Sequence, residues 1–174
     1  MENLLSVARS VLSGTPARWQ SLIETTPTEL LNRQPEPQEW SANECLKHLL
    51  DTERYVFPVR IKAFLAGQNF PAFNPDATEN KAIGALNANK MIAEFTKLRL
   101  ANLKLLEATK PDDLKRTAIH GQLGKVTLSD MVHEWVGHDL MHTVQAERAI
   151  LQPFILGCGP WRQYFKDHDV ALSK

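Results

Sequence analysis

The strongest constraint on the fold is the period of the apolar residues: it is helical wherever it is clear, and proline-bearing segments cut it into separate runs. Leu4, Leu5, Val7, Ala8, Val11 and Leu12 make the first run. Leu46, Leu49, Leu50, Tyr55, Val56, Val59 and Phe64 make the second. Met91, Ile92, Phe95, Leu98, Leu100, Leu103, Leu105 and Leu106 give a third, broad face. Met131, Val132, Trp135, Val136, Leu140, Met141 and Val144 sit on the last. No convincing alternating strand appears. A chain of 174 residues suits a single domain, residues 1–174, with room for a core that needs no staples. Four long helices with two long connections predict an all-α, four-helix bundle with long crossover connections, not a simple up-and-down series.

Local signals place the ends. Thr15 and Pro16 follow Gly14 and suit a helix start, so the first run is either one kinked helix or two pieces. Thr26-Pro-Thr-Glu29 opens a short turn holding Leu30 and Leu31, and Pro35 and Pro37 force extended chain. Ser41-Ala-Asn-Glu44 reads as a capping box. The helix after it runs to about Ala66, is kinked by Pro58 and ends at Gly67. Residues 67 to about 86 form the first long connection. Asn87 caps a helix over 88–109, which Pro111 breaks. The second connection holds His120 and Gly121-Gln-Leu-Gly124. Thr127-Leu-Ser-Asp130 opens the last long helix, which Pro153 ends near Leu151, and a short closing helix covers Trp161 to Phe165.

Composition excludes several classes. Twenty basic residues balance twenty acidic ones and no charge block stands out, so neither nucleic acid nor an acidic membrane is an expected partner. No apolar stretch approaches the roughly 20 residues of a membrane span, and the start of the chain lacks the pattern of a signal peptide. Two cysteines, Cys45 and Cys158, make neither a disulfide scaffold nor a zinc knuckle. A cytoplasmic protein is the expectation.

Chemistry concentrates on the histidines. His138 and His142 are one helical turn apart, so their Cβ atoms lie about 5–6 Å from one another on one face. Glu134 and Gln145 fall on the same stripe. Such a polar stripe on a helix rich in apolar residues suits a cavity inside a bundle. His48, on the second helical run, can add a third imidazole, which would make an open three-histidine metal site. Glu134, Gln145 or Glu44 can accept the second ring N–H of a ligand. Read alone, these residues leave open whether the histidines are ligands or ordinary core and surface residues.

Two sharper motifs fail. His133-Glu-Trp-Val-Gly-His138 is one residue longer than the HExxH protease motif, and five residues turn a helix by about 500°, so the two rings are off face. A di-iron bundle needs a Glu-x-x-His on each of two helices, whereas Glu44 precedes Lys47 and Glu134 precedes Gly137 at that spacing. One metal is the consistent reading. Cys45 reads as a small core residue, His120 as a loop residue with hydrogen-bonding work, and His133 and His168 as solvated. Asp51 lies near the face of His48, while Glu53 points away.

Trp40-Ser-Ala-Asn-Glu-Cys-Leu-Lys-His48-Leu-Leu-Asp-Thr-Glu53 resembles the first signature of the DinB/YfiT-like family. Leu123-Gly-Lys-Val-Thr-Leu-Ser-Asp-Met-Val132, with His138-Asp-Leu-Met-His142-Thr-Val-Gln145, resembles the second. Glu94-Phe95 and Arg99 to Leu106 are similar to the family's third helix. The resemblance spans about residues 15–150. It implies a four-helix bundle with long crossovers and a divalent metal, Zn or Ni, held by His48, His138 and His142. It also implies a small-molecule thiol and an electrophile as partners, since relatives include transferases and isomerases that use bacillithiol or mycothiol. A low-molecular-weight-thiol S-transferase is therefore the expected function, with a homodimer as the expected assembly. The alternatives are a non-enzymatic metal- or small-ligand-binding stress protein and a metal-dependent hydrolase.

Overall fold

The computed structural model describes residues 3–73 and 87–172. Its elements are α1 (Leu4–Thr25), α2 (Thr28–Asn32), α3 (Ala42–Tyr55), α4 (Phe57–Ala66), α5 (Ala88–Ala108), β1 (Thr117–His120), β2 (Gly124–Thr127) and α6 (Leu128–Gly157). Helix α1 packs on α5 and α6, and α3 packs on the same two, so four helices close a ring with α1 and α3 on the diagonal. No helix among the described residues is long and apolar enough to cross a membrane.

The helix starts follow from local chemistry. Ser41 Oγ accepts from the Glu44 amide at 3.3 Å while the Glu44 carboxylate accepts from the Ser41 amide at 2.8 Å. Thr127 and Asp130 form the equivalent box at the head of α6, and Asn87 accepts from the Lys90 amide at the head of α5. Each box satisfies amides that the first helical turn leaves without a partner.

Proline closes one open alternative and departs from expectation at two places. Helix α1 runs through Pro16 as one 22-residue helix. Pro16 has no N–H to give the carbonyl of Leu12, and a side chain from α5 replaces it: Arg99 Nη1 donates to that oxygen at 2.9 Å. Pro58 does not kink a continuous helix. The chain breaks at Val56, and Pro58 sits in the first turn of the new helix α4, where a missing N–H costs nothing. Pro153 does not stop α6, which continues to Gly157. The buried Ile155 anchors that last stretch, and Gln152 Nε2 donates to the carbonyls of Arg148 and His168, tying the helix to the closing tail.

The second connection also departs from the all-helical expectation. Thr117 to His120 pairs antiparallel with Gly124 to Thr127 as a small hairpin. Each strand has only four residues, too few for a period of two to stand out. Phe70 lies alongside as an isolated bridge to His120, its N–H donating to Ile119 O at 3.2 Å and its carbonyl accepting from Gly121 at 3.0 Å. Residues 74–86 of the first expected connection lie outside the described residues.

The core is split in two. One apolar cluster gathers Leu12, Phe57, Phe64, Val132 and Trp135, and the other Trp19, Leu46, Leu50, Ile92 and Phe95. Between them runs a fully buried polar layer: Glu53 from α3, Arg99 from α5 and Asp139 from α6.

Candidate metal centre

Three helix turns converge at one end of the layer between α3 and α6. His48 comes from α3, seven residues after the capping serine that fixes where that helix begins, and His138 and His142 come from α6. One ring nitrogen from each lies within 4.8 Å of the other two. The Nε2 atoms of His48 and His138 are 3.0 Å apart, and the ring centroids of the trio are 4.5 to 5.0 Å apart. His142 Nδ1 donates to Gln145 Oε1 at 2.8 Å, which leaves its Nε2 lone pair unengaged. Trp40 closes one side, stacked on His142 at 5.6 Å and tilted against His48 at 4.9 Å. Phe57 closes another with its ring against His138 at 5.4 Å.

These rings are held neutral. Burial, then the neighbouring His142 and Lys47, push His48 down to about 4. Burial and the two other rings push His138 down to about 3, with Arg99 and Arg60 adding to the effect from farther away. Burial also lowers His142, against the pull of Gln145 and Asp139. Neutral imidazoles offer lone pairs, and three nitrogens around a tetrahedral ion with bonds of 2.0–2.1 Å sit about 3.4 Å from one another. The observed spacing, from 3.0 Å to the 4.8 Å limit, brackets that value. The donor set fits one divalent ion of the borderline class that imidazole prefers.

The other sequence candidates separate. Gln145 is in the site. Glu134 stands on the same stripe of α6 but half exposed at its rim, where its carboxylate is 4.0 Å from Arg60. Glu44 is occupied in the capping box and by Gln34 at 3.1 Å, and no hydrogen bond joins it to the trio. Asp51 pairs with Lys47 at 2.8 Å rather than with His48, and its second oxygen is buried without a partner. Cys45 is buried in the core, and burial, with Glu44 nearby, pushes its thiol up to about 12, which makes it inert as a nucleophile. His133 is exposed and bonded to Ser129 O on its own helix, as the failed five-residue spacing requires. His120 is buried at the end of β1, apart from the trio.

Sequence reasoning did not reach the support beneath the trio. Glu53 does point away from His48, and what it meets is Arg99. All five guanidinium N–H bonds of Arg99 have an acceptor: two on Glu53, two on Asp139 and one on Leu12 O. Asn102 donates to Glu53 and Trp135 Nε1 donates to the same carboxylate at 3.3 Å. Burial works against the charge of Arg99, but Asp139 and Glu53 more than offset it and hold the guanidinium protonated. Asp139 follows His138 directly, and Thr143, which follows His142, bonds the Asp139 carbonyl at 2.8 Å. The helix turn that carries both histidines is thereby tied to three others. His138 lacks the partner that His142 has: its Nδ1 is buried with no hydrogen bond, and its ring is set by packing against Phe57 and by the Nε2 contact with His48.

A family model described as the DinB superfamily matches residues 12–146, which include the trio and the polar layer. The chain belongs to the DinB superfamily. Among solved structures it is similar to YfiT from Bacillus subtilis, with a TM-score of 0.71 and 20% identity over 86% of this chain and 87% of that one. YfiT is described as a probable metal-dependent hydrolase with an unusual four-helix bundle topology. At that identity the likeness establishes the fold, including the crossover topology that the DinB superfamily chain was expected to have. A comparison with curated proteins finds no significant sequence match.

Proposed function

We propose that this DinB superfamily chain is a metal-dependent enzyme in which His48, His138 and His142 hold one divalent ion, Zn²⁺ or Ni²⁺, and that it transfers a low-molecular-weight thiol to an electrophile. The observation that carries the reading is the trio itself: three neutral ring nitrogens on two helices, within 4.8 Å of one another, with no carboxylate in the set. An ion bound there supplies Lewis acidity, which ionises a thiol or a water at neutral pH. Three neutral donors leave its charge undiminished.

The chain's own residues do the rest. Gln145 fixes the tautomer and the direction of His142. Trp40 and Phe57 fence the rings and keep the site partly dry. No carboxylate among the described residues is hydrogen-bonded to the trio, so no general base is already seated on the rings. This favours a thiol, with an ordinary pKa near 8.5, over water, which starts near 15.7. The thiol-dependent relatives implied by the sequence resemblance support the same choice.

The assay compares turnover of an activated aryl halide or epoxide with bacillithiol, mycothiol, glutathione and no thiol, in metal-loaded and metal-stripped protein. Turnover that needs both metal and thiol is the expected result. Equal rates in all samples exclude it. The likeness to YfiT favours hydrolysis as the second reading, and metal-dependent cleavage of an ester or amide without thiol selects it. Stoichiometric metal binding with no turnover in either assay selects a binding protein.

A further inference from the structure

One helical turn before the trio, α6 forms the wall of a separate cavity of about 280 Å³, just under the usual range for ligand sites. Its other walls are α4, the hairpin and the segment after Phe70. Apolar side chains line most of it, among them Phe70, Phe73 and Met131, and one cation reaches into it, Arg60.

Arg60 is set unusually for a surface arginine. Its side chain is only 13% exposed, and its nearest carboxylate, Glu134, is half exposed and 4.0 Å away. One face of the guanidinium lies over the Phe70 ring at 5.3 Å. Its Nη2 is 3.2 Å from His120 Nε2. The direction of that contact can be decided. His120 Nδ1 faces the backbone N–H groups of Gln122 and Leu123 at 3.1 and 3.2 Å, and an amide N–H can only donate, so Nδ1 is the acceptor. The neutral ring then carries its proton on Nε2. Two donors, Nε2–H and Nη2–H, point toward one another at the cavity wall with no acceptor between them. The turn that holds His120 is closely seated. Gly121 is pressed against Pro71 and Ala72, where an added Cβ would come within 3.1 Å of backbone, and its N–H is bonded to Phe70 O.

We propose that the cavity binds an organic monocarboxylate with an apolar or aromatic body, one carboxylate oxygen accepting from both Arg60 Nη2–H and His120 Nε2–H. A planar guanidinium suits a carboxylate. A dianion such as a phosphate suits the cavity less. Arg60 is its one full cation among the described residues, and the wall also holds Glu134 and Asp130, the latter turned onto the Thr127 amide. Glu134 occupies the loose edge of Arg60, and the ligand carboxylate displaces it toward solvent. The trio is not part of the cavity wall, but Glu134 and His138 are four residues apart on one stripe, about 6 Å along the helix, so a ligand whose body follows α6 from Arg60 would bring its far end toward the trio. The proposal thus deepens the enzymatic reading by naming the electrophile as carboxylate-bearing, and it rests on that reading for this step only.

Benzoate and its neutral isostere benzamide are the probes, titrated by calorimetry or NMR into metal-loaded and metal-stripped protein. Benzoate is expected to bind both forms, and benzamide roughly tenfold more weakly or not at all, as for hydrogen bonds to a charged group. Arg60→Met should cost roughly tenfold in benzoate affinity, with Arg60→Lys between the two. Glu134→Gln should tighten benzoate by a few-fold, and this gain needs no tolerance of a change at Arg60. Benzoate binding that is unchanged in Arg60→Met, or equal for benzamide, or absent up to tens of millimolar, overturns the proposal. Binding that vanishes with the metal but survives Arg60→Met overturns it too, while leaving the metal-centred reading standing. Arg60-dependent benzoate binding in a protein that takes up no metal keeps the cavity and removes the metal reading.

Discussion

At Arg99 every donor has an acceptor; at the histidine trio, a turn away on the same helices, ring nitrogens face one another and one of them has no partner at all. The two centres share their framework. Helix α3 supplies His48 to one and Glu53 to the other, and α6 supplies His138 and then Asp139. Both are polar groups removed from water, where an unmade hydrogen bond is costly. A closed network of that kind specifies packing and leaves nothing free to react. A cluster of neutral imidazoles satisfies itself only in part: the 3.0 Å contact between the Nε2 atoms of His48 and His138 engages one nitrogen of each ring and leaves His138 Nδ1 without a partner. The contrast sets a network whose donors are all answered beside a cluster that keeps one unanswered nitrogen.

The sharpest way to break the contrast is to remove the middle of the closed network. Arg99→Met leaves two buried carboxylates unpaired and frees the Leu12 carbonyl beside Pro16. A loss of about 3–5 kcal/mol is expected, read as a shift in the urea midpoint or as failure to fold. A loss under about 1 kcal/mol would mean that the layer is wet and the contrast false.

His142→Ala should behave in the opposite way. Metal uptake, measured by elemental analysis after reconstitution with Zn²⁺ or Ni²⁺, should fall below half an equivalent. Far-ultraviolet circular dichroism should stay nearly unchanged, because a core of this size does not depend on an ion. Retained stoichiometric binding would show that the ligand set is different.

A smaller effect tests the support of one ring. Gln145→Leu removes the acceptor of His142 Nδ1–H and should weaken metal affinity about 10- to 100-fold without abolishing it. His138 already lacks such an acceptor, so no equivalent polar substitution exists for it.

A test that changes no residue is the pH response of the metal-free protein. His48 and His138 protonate less readily in the fold, at about 4 and about 3, than at their ordinary 6.5. The unfolded chain therefore takes up protons first as the pH drops. Their contribution to stability is full above pH 6.5 and declines as pH falls toward 4 and then 3. Denaturation midpoints measured from pH 7.5 to 4.5 should fall over that window, and a variant with both rings replaced by Gln should fall less steeply. Equal slopes would mean that the two rings are wetter than their packing indicates.

The same contrast shows what the sequence makes legible. The helix starts at Ser41, Asn87 and Thr127 could be read because a cap is complete within four residues. The pairing of His138 with His142 could be read because a helix repeats its face every turn, and the three rings do gather in space. The Arg99 network could not, since its partners are contributed by four helices and no spacing along one of them reveals it. Glu134 keeps the expected stripe, but that stripe leaves the shelter of α3 where the chain breaks at Val56, and the carboxylate meets Arg60 and solvent instead of a ring. Prolines were read as local punctuation, yet their effect depends on what lies opposite: a guanidinium for Pro16, a fresh helix start for Pro58, a buried isoleucine and the tail for Pro153.

The break at Val56 has a consequence for how such a protein changes over time. It divides one stretch of chain into a segment that carries a ring of the trio and a segment that carries the cation of the neighbouring cavity. Substitutions in the hairpin and in α4 beyond Phe57 can reshape the cavity while the nitrogen donors of α3 and α6 keep their places. A library confined to residues 60–73 and 118–126 therefore varies the cavity over a constant set of histidines, so that shape at one site can change without disturbing geometry at the other.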